Sequence, residues 1–113
     1  MSISIQRLDA DVSVAPQLAP ESMAEAAAAG FRSVINNRPD FEGGPTQPTH
    51  AAIEAAARGA GLTYVFLPVA GNYQSEEEIT RFGALIASLP KPILAFCRTG
   101  TRSGKLWQAA TAR

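Results

Sequence analysis

The chain carries one cysteine, Cys97, and presents it in the run Cys97-Arg98-Thr99-Gly100-Thr101-Arg102-Ser103. An apolar stretch, Ile93-Leu94-Ala95-Phe96, leads into it, and a polar, helix-compatible segment follows. That order builds an anion cradle around a sulfur nucleophile. The strand fixes the entry of the loop, Gly100 permits a tight turn, and successive backbone N–H groups converge. The helix behind adds the positive end of its dipole. A lone cysteine is most often a small buried hydrophobe. Two neighbouring arginines and a place at a strand end favour a reactive thiolate here.

Arg102 closes the loop five positions after Cys97. Its guanidinium is suited to clamp an oxyanion through two parallel hydrogen bonds. A ring this short encloses less space than a tetrahedral phosphate needs and suits one extra sulfur atom on the cysteine. Arg98 is either a second anion ligand or a solvated surface charge. Thr99 and Thr101 fit an anion-binding loop and equally fit turn positions. Ser103 is expected either to cap the last helix or to hydrogen-bond the thiolate.

Arg38 and Asp40, in Asn36-Asn37-Arg38-Pro39-Asp40, follow an earlier strand on the same side and are placed to support the site from behind. Asp40 is an acid, a base, a loop anchor or simply a turn residue after Pro39. His50, the single histidine, stands in the first turn of an expected helix, so a Cys–His pair has weak support. One cysteine and one histidine do not make a zinc site. No metal or organic cofactor is expected.

These residues need a frame. Ile3, Ile5 and then Val12, Val14 alternate with polar residues and predict two short strands around a turn at Asp9–Asp11. Pro20 opens a helix that runs to Ala29, with Gly30 just past its end. Phe31–Asn36 reads as a strand and Asn37–Pro48 as a proline- and glycine-rich loop. A second helix covers Thr49–Arg58 and stops at Gly59 and Gly61. Leu62–Val69 is an apolar strand. Ser75 and Glu78 form a capping box for a helix reaching Ser88. Leu89-Pro90-Lys91-Pro92 breaks it, Ile93–Cys97 is the next strand, and the last helix begins near Ser103. Strands alternating with helices predict a three-layer α/β/α domain with a mostly parallel central sheet. Ligands of such sheets bind beyond the carboxyl ends of the strands, where Cys97, Asn37–Asp40 and Ala70–Asn72 all fall.

With 113 residues, 46% of them hydrophobic, the chain is long enough for one domain with its own core. Ten basic and ten acidic residues cancel, which argues against a nucleic-acid partner. No apolar run approaches the ~20 residues of a membrane span. Met1–Arg7 lacks the basic-then-apolar pattern of a signal peptide, and one cysteine leaves no internal disulfide, so a cytoplasmic location is expected. Trp107, on a short last helix, is expected to pack on the core or against a second copy in a homodimer.

Three segments together, Gly30–Asp40, Tyr64–Val69 and Cys97–Ser103, resemble the phosphatase-like domain of bacterial β-lactamase hydrolase-like proteins. The resemblance runs from about Ile5 to Trp107. It implies a fold similar to that of dual-specificity phosphatases. It also implies a domain that occurs alone or fused to a persulfide dioxygenase and that has been described both as phosphatase and as sulfurtransferase. The chain departs from the phosphatase pattern in three places. The arginine comes one residue early, with Ser103 in its place; Phe96 replaces the histidine before the cysteine; and Ala70-Gly71-Asn72-Tyr73 lacks the general-acid aspartate. Cys97–Arg102 instead resembles the six-residue active loop of rhodaneses. The combination implies sulfur transfer through a Cys97 persulfide, from a small anionic donor such as thiosulfate to a thiol, sulfite or cyanide acceptor. The alternatives are a phosphatase acting through a phosphocysteine and a non-catalytic module that binds anions or carries persulfide.

Overall fold

The computed structural model describes residues 3–112. Met1, Ser2 and Arg113, which the single-domain reading includes, lie outside the described residues. The last strand, Ile93–Phe96, shows how the molecule is layered. Leu94 and Phe96 enter one apolar core while Ile93 and Ala95 enter another, and all four are fully buried. That is the period-2 alternation of a strand covered on both faces. Burying each large side chain of such a strand stabilises the fold by roughly 1.5–3 kcal/mol.

The elements are β1 (Gln6–Arg7), β2 (Val12–Ala15), α1 (Ser22–Ala28), β3 (Ser33–Asn36), α2 (His50–Gly59), β4 (Thr63–Phe66), α3 (Glu76–Ser88), β5 (Ile93–Phe96) and α4 (Thr101–Thr111). The sheet order is β1-β2-β5-β3-β4. β5 pairs in parallel with β2 and β3, β4 is parallel to β3, and only β1 is antiparallel. Met23 and Ala26 of α1 share the first core with Ile53 and Ala57 of α2. Phe82 of α3 and Leu106 of α4 share the second. The three-layer, mostly parallel architecture expected from the sequence is present.

Local signals explain most boundaries. Asp9 Oδ1 accepts the N–H groups of Asp11 and Val12, each at 2.8 Å, and closes the expected turn. Thr49 caps α2 through the Ala52 N–H. Ser75 and Glu78 form the complete capping box of α3. Gly30 and Gly61, at φ of 101° and 83°, end α1 and α2.

Three expectations are corrected. The first strand is Gln6–Arg7 rather than Ile3–Ile5, because pairing starts beside the Asp9 turn, with Arg7 opposite Ser13. Ile3 leaves the sheet, packs against the first core and donates its N–H to Glu25 Oε2 at 2.7 Å. Gly59 lies inside α2, which Gly61 ends. α4 begins at Thr101, two residues before Ser103, and Trp107 packs against the second core. Among the described residues no helix is long and apolar enough to cross a membrane.

Candidate active site

Ala15, Phe96, Asn36 and Phe66 form one row across four strands. The chain therefore leaves β2, β5, β3 and β4 at one level, and the residues that follow meet at a single mouth. Cys97 follows Phe96. It is 1% exposed. Its N–H donates to Ala15 O at 3.3 Å, and its sulfur accepts the Gly100 N–H at 3.1 Å.

Gly100 reaches that position at φ 92°, in the left-handed region where other residues are strained. It is also the residue that precedes α4, and it offers no side-chain cap. The amides of Arg102 and Ser103 belong to the first turn and lack intrahelical acceptors. The sulfur thus sits beside a helix N-terminus, bonded to the amide that opens it. Arg98, Thr99 and Thr101 are exposed on the outer side of the loop. The Thr99 hydroxyl accepts the Thr101 N–H at 3.4 Å, which is the turn role.

Ser103 takes neither role read from the sequence. Because α4 starts early, Ser103 lies within the first turn and is not the cap. Its hydroxyl donates to Asn37 Oδ1 at 2.8 Å, not to the sulfur. Asn37, fully buried, ties the mouth together. Its N–H donates to Phe96 O, its carbonyl accepts the Val69 N–H, and its side-chain amide donates to Leu67 O.

Arg102 is the second residue of α4, where a cation opposes the helix dipole. It is buried nonetheless, at 9% exposure. Nη1 donates to Val69 O at 3.0 Å and to Asn37 O at 3.5 Å. Nη2 donates to Glu42 Oε1 at 3.0 Å. Nε is buried without a partner among the described residues. Gly71 is needed for this packing, since a Cβ there would lie 2.9 Å from Nη2.

Glu42 escaped the sequence reading. Its Oε1 accepts both Arg102 Nη2 and Arg38 Nε, the latter at 2.9 Å. Burial alone would push the Glu42 carboxyl up. The hydrogen bonds and positive charges of Arg102 and Arg38 outweigh that and hold it below its ordinary 4.5. The available signal was a carboxylate four residues after Arg38 in a loop bound for the mouth. Arg38 is buried too, with Nη1 donating to Gln17 Oε1 at 3.1 Å. Arg38 thus meets Arg102 only through their shared partner, Glu42 Oε1.

Asp40 is a loop anchor. Its Oδ1 accepts the His50 N–H at 2.8 Å, at the start of α2. The His50 ring stacks on Phe66 with centroids 4.0 Å apart, and its Nε2 lies 3.9 Å from Asp40 Oδ2. His50 belongs to that helix end and not to the sulfur.

A buried cysteine hydrogen-bonded to a loop amide, a helix N-terminus beside it, and an arginine whose Nε has no partner among the described residues are gathered at the carboxyl ends of the strands. Residues 4–113 match the family model of the β-lactamase hydrolase-like protein, phosphatase-like domain. The chain belongs to this family. A β-lactamase hydrolase-like protein of Xylella fastidiosa is 46% identical over 78 residues, covering 69% of this chain and 18% of the relative. The matched stretch thus covers less than a fifth of that relative's length. A Neisseria meningitidis structure provisionally described as a phosphatase is 36% identical, with a TM-score of 0.84, covering 91% of this chain and 72% of its own. Pseudomonas aeruginosa TpbA in complex with pTyr has a TM-score of 0.68 at 15% identity, covering 92% and 59% of the two chains, and shares the fold. The phosphatase-like domain is therefore a cysteine-phosphatase fold, as the sequence implied.

Proposed function

We propose that this domain is a cytoplasmic sulfurtransferase that carries sulfane sulfur on Cys97. The observation that carries the reading is the commitment of both mouth carboxylates. Asp40 anchors the start of α2, and Glu42 is ion-paired to two arginines. Both carboxylates are thus engaged by other residues, and Ala70-Gly71-Asn72-Tyr73-Gln74 contains no acid. Loss of a proton donor to the leaving oxygen costs an ester-cleaving enzyme about 10²–10⁴-fold. Sulfur transfer needs none.

In this reaction the Cys97 thiolate attacks the outer sulfur of a thiosulfate- or persulfide-type donor. A bond from Sγ to that sulfur forms as the donor's S–S bond breaks, and sulfite or a thiolate leaves with the electron pair. The Gly100 N–H and the first-turn amides of α4 stabilise the persulfide anion. Arg102 binds the anionic end of the donor. A second thiophile (a thiol, sulfite or cyanide) removes the outer sulfur and returns Cys97 as thiolate. Two half-reactions give ping-pong kinetics. A persulfide dioxygenase is the proposed consumer of a persulfide product.

Intact mass after incubation with thiosulfate tests this. A gain of about 32 Da, one sulfur, that Cys97→Ser abolishes supports the reading. Absence of the adduct overturns it.

The second reading is phosphoester hydrolysis through a phosphocysteine. The comparisons favour it over sulfur transfer, because the fold and the Neisseria relative are phosphatase-like. Cys97-dependent release of phosphate from an aryl phosphate, without a sulfur adduct, would establish it. With neither activity, the domain is an anion-binding or persulfide-carrying module.

A further inference from the structure

We propose that Glu42 is an internal anion that half-occupies the Arg102 fork, so that a substrate anion enters by displacing the Glu42 carboxylate onto Arg38. The proposal rests on Arg102 as the anion ligand. It holds whether sulfur or a phosphoryl group is transferred.

The assignment follows from how the donors of Arg102 are divided. Nε and Nη2 form one edge of a guanidinium, the edge that grips an oxyanion through two parallel bonds. On that edge Nη2 is taken by Glu42 Oε1 at 3.0 Å, while Nε is buried with no partner among the described residues. The carboxylate thus fills one of two matched donors. An incoming oxyanion that filled both would satisfy an N–H whose burial without a partner otherwise costs stability.

Arg102 does not need Glu42 to stay in place. Its Nη1 is held by the carbonyls of Val69 and Asn37, on two different loops. A residue that merely positioned Arg102 would more naturally bond the far edge of the guanidinium and leave the fork free. Glu42 also has somewhere to go. Arg38 Nε already donates to the same Oε1 at 2.9 Å, so a displaced carboxylate keeps a charged partner. The segment that carries it lies at the surface and is closed by local hydrogen bonds, Gly44 N–H to Phe41 O at 3.1 Å and Gly43 N–H to Gln47 Oε1 at 2.7 Å, so the displacement is one of the Glu42 side chain. Phe41 sits at φ 63°, a left-handed conformation unusual for a bulky residue, and is 65% exposed. Gly43 and Gly44 follow directly.

Alkylation of Cys97 reads this without assuming a substrate. Iodoacetate is an anion and iodoacetamide a neutral analogue, so the ratio of their rates reports the free positive charge at the mouth. Glu42→Gln is expected to raise that ratio about tenfold, the scale of one charge-assisted hydrogen bond. Arg38→Ala, which leaves the carboxylate to Arg102 alone, is expected to lower it. An unchanged or lower ratio in Glu42→Gln, or equal ratios in the two variants, overturns the gate and makes Glu42 a positioning residue. Should Glu42→Gln fail to fold by circular dichroism, Glu42→Ala, which also removes the carboxylate, is read in its place, with the same expected rise and the same overturning result. Failure of the sulfurtransferase reading would appear separately, as no mass gain with thiosulfate in the unaltered chain.

Discussion

Ser103 Oγ donates to Asn37 Oδ1 at 2.8 Å, joining the first turn of α4 to the end of β3 across 66 positions of sequence. Both residues are fully buried. The bond ties the helical turn that carries Arg102 to the loop that follows β3.

Ser103→Ala leaves Asn37 Oδ1 buried without that donor. The expected loss is about 1–3 kcal/mol in urea unfolding. Activity should fall with it, because the Asn37 carbonyl also receives Arg102. A loss below 0.5 kcal/mol, on the scale of an ordinary surface substitution, would mean that Asn37 finds another donor.

Gly100→Ala should lose roughly 1–2 kcal/mol, the cost of a left-handed conformation with a Cβ. A Cβ there would contact Ala15 at 3.5 Å, which is ordinary packing, so strain and not collision is the cause. The Gly100 N–H should be drawn away from the sulfur. Slower alkylation of Cys97 in the variant, by a neutral reagent, is the check.

Gly71→Ala separates the site from the fold. Gly71 is exposed, and the nearest atoms to a Cβ there all belong to Arg102, with Nη2 at 2.9 Å. KM for an anionic donor should rise several-fold with urea midpoints nearly unchanged. Arg102→Ala should be worse, about 10²-fold in kcat/KM by loss of one fixed charged donor set, and clearly worse than Arg38→Ala. Equal losses in the two arginine variants would relocate the anion site.

Acid should weaken the loop that holds Glu42. Its folded value is held below 4.5, so its ion pairs add stability above that pH, and the contribution disappears as pH falls through the lowered value. Glu42→Gln has no such proton to gain. The stability gap between the unaltered chain and Glu42→Gln should be constant near neutrality and shrink below about pH 4.5. A gap that stays constant down to pH 3 would show that the pairing is not realised in solution.

The layers and the place of Cys97 were legible because they rest on local rules. Alternation in Ile93–Phe96, the Ser75–Glu78 box and Gly30 and Gly61 each act over a few residues. What was not legible depends on distance. Glu42 gains meaning only when Arg102, 60 positions later, is folded against it. Ser103 looked like a cap because serine favours that position, but Gly100 can take the left-handed φ and let the helix start early. Asp40 was read from its type with four roles open, and the start of α2 selected one. Ile3 and Ile5 carried a strand pattern that the Asp9 turn overrode by fixing the register nearby.

β5 has partners on both sides and no exposed residue. Its amides should exchange with deuterium only when the whole molecule opens, whereas the segment around Phe41 should exchange through small local fluctuations. The root of the nucleophile is then among the slowest parts of the molecule and its doorway among the fastest. Whatever limits entry to Cys97 would be set by loop motion, while the sulfur itself stays fixed.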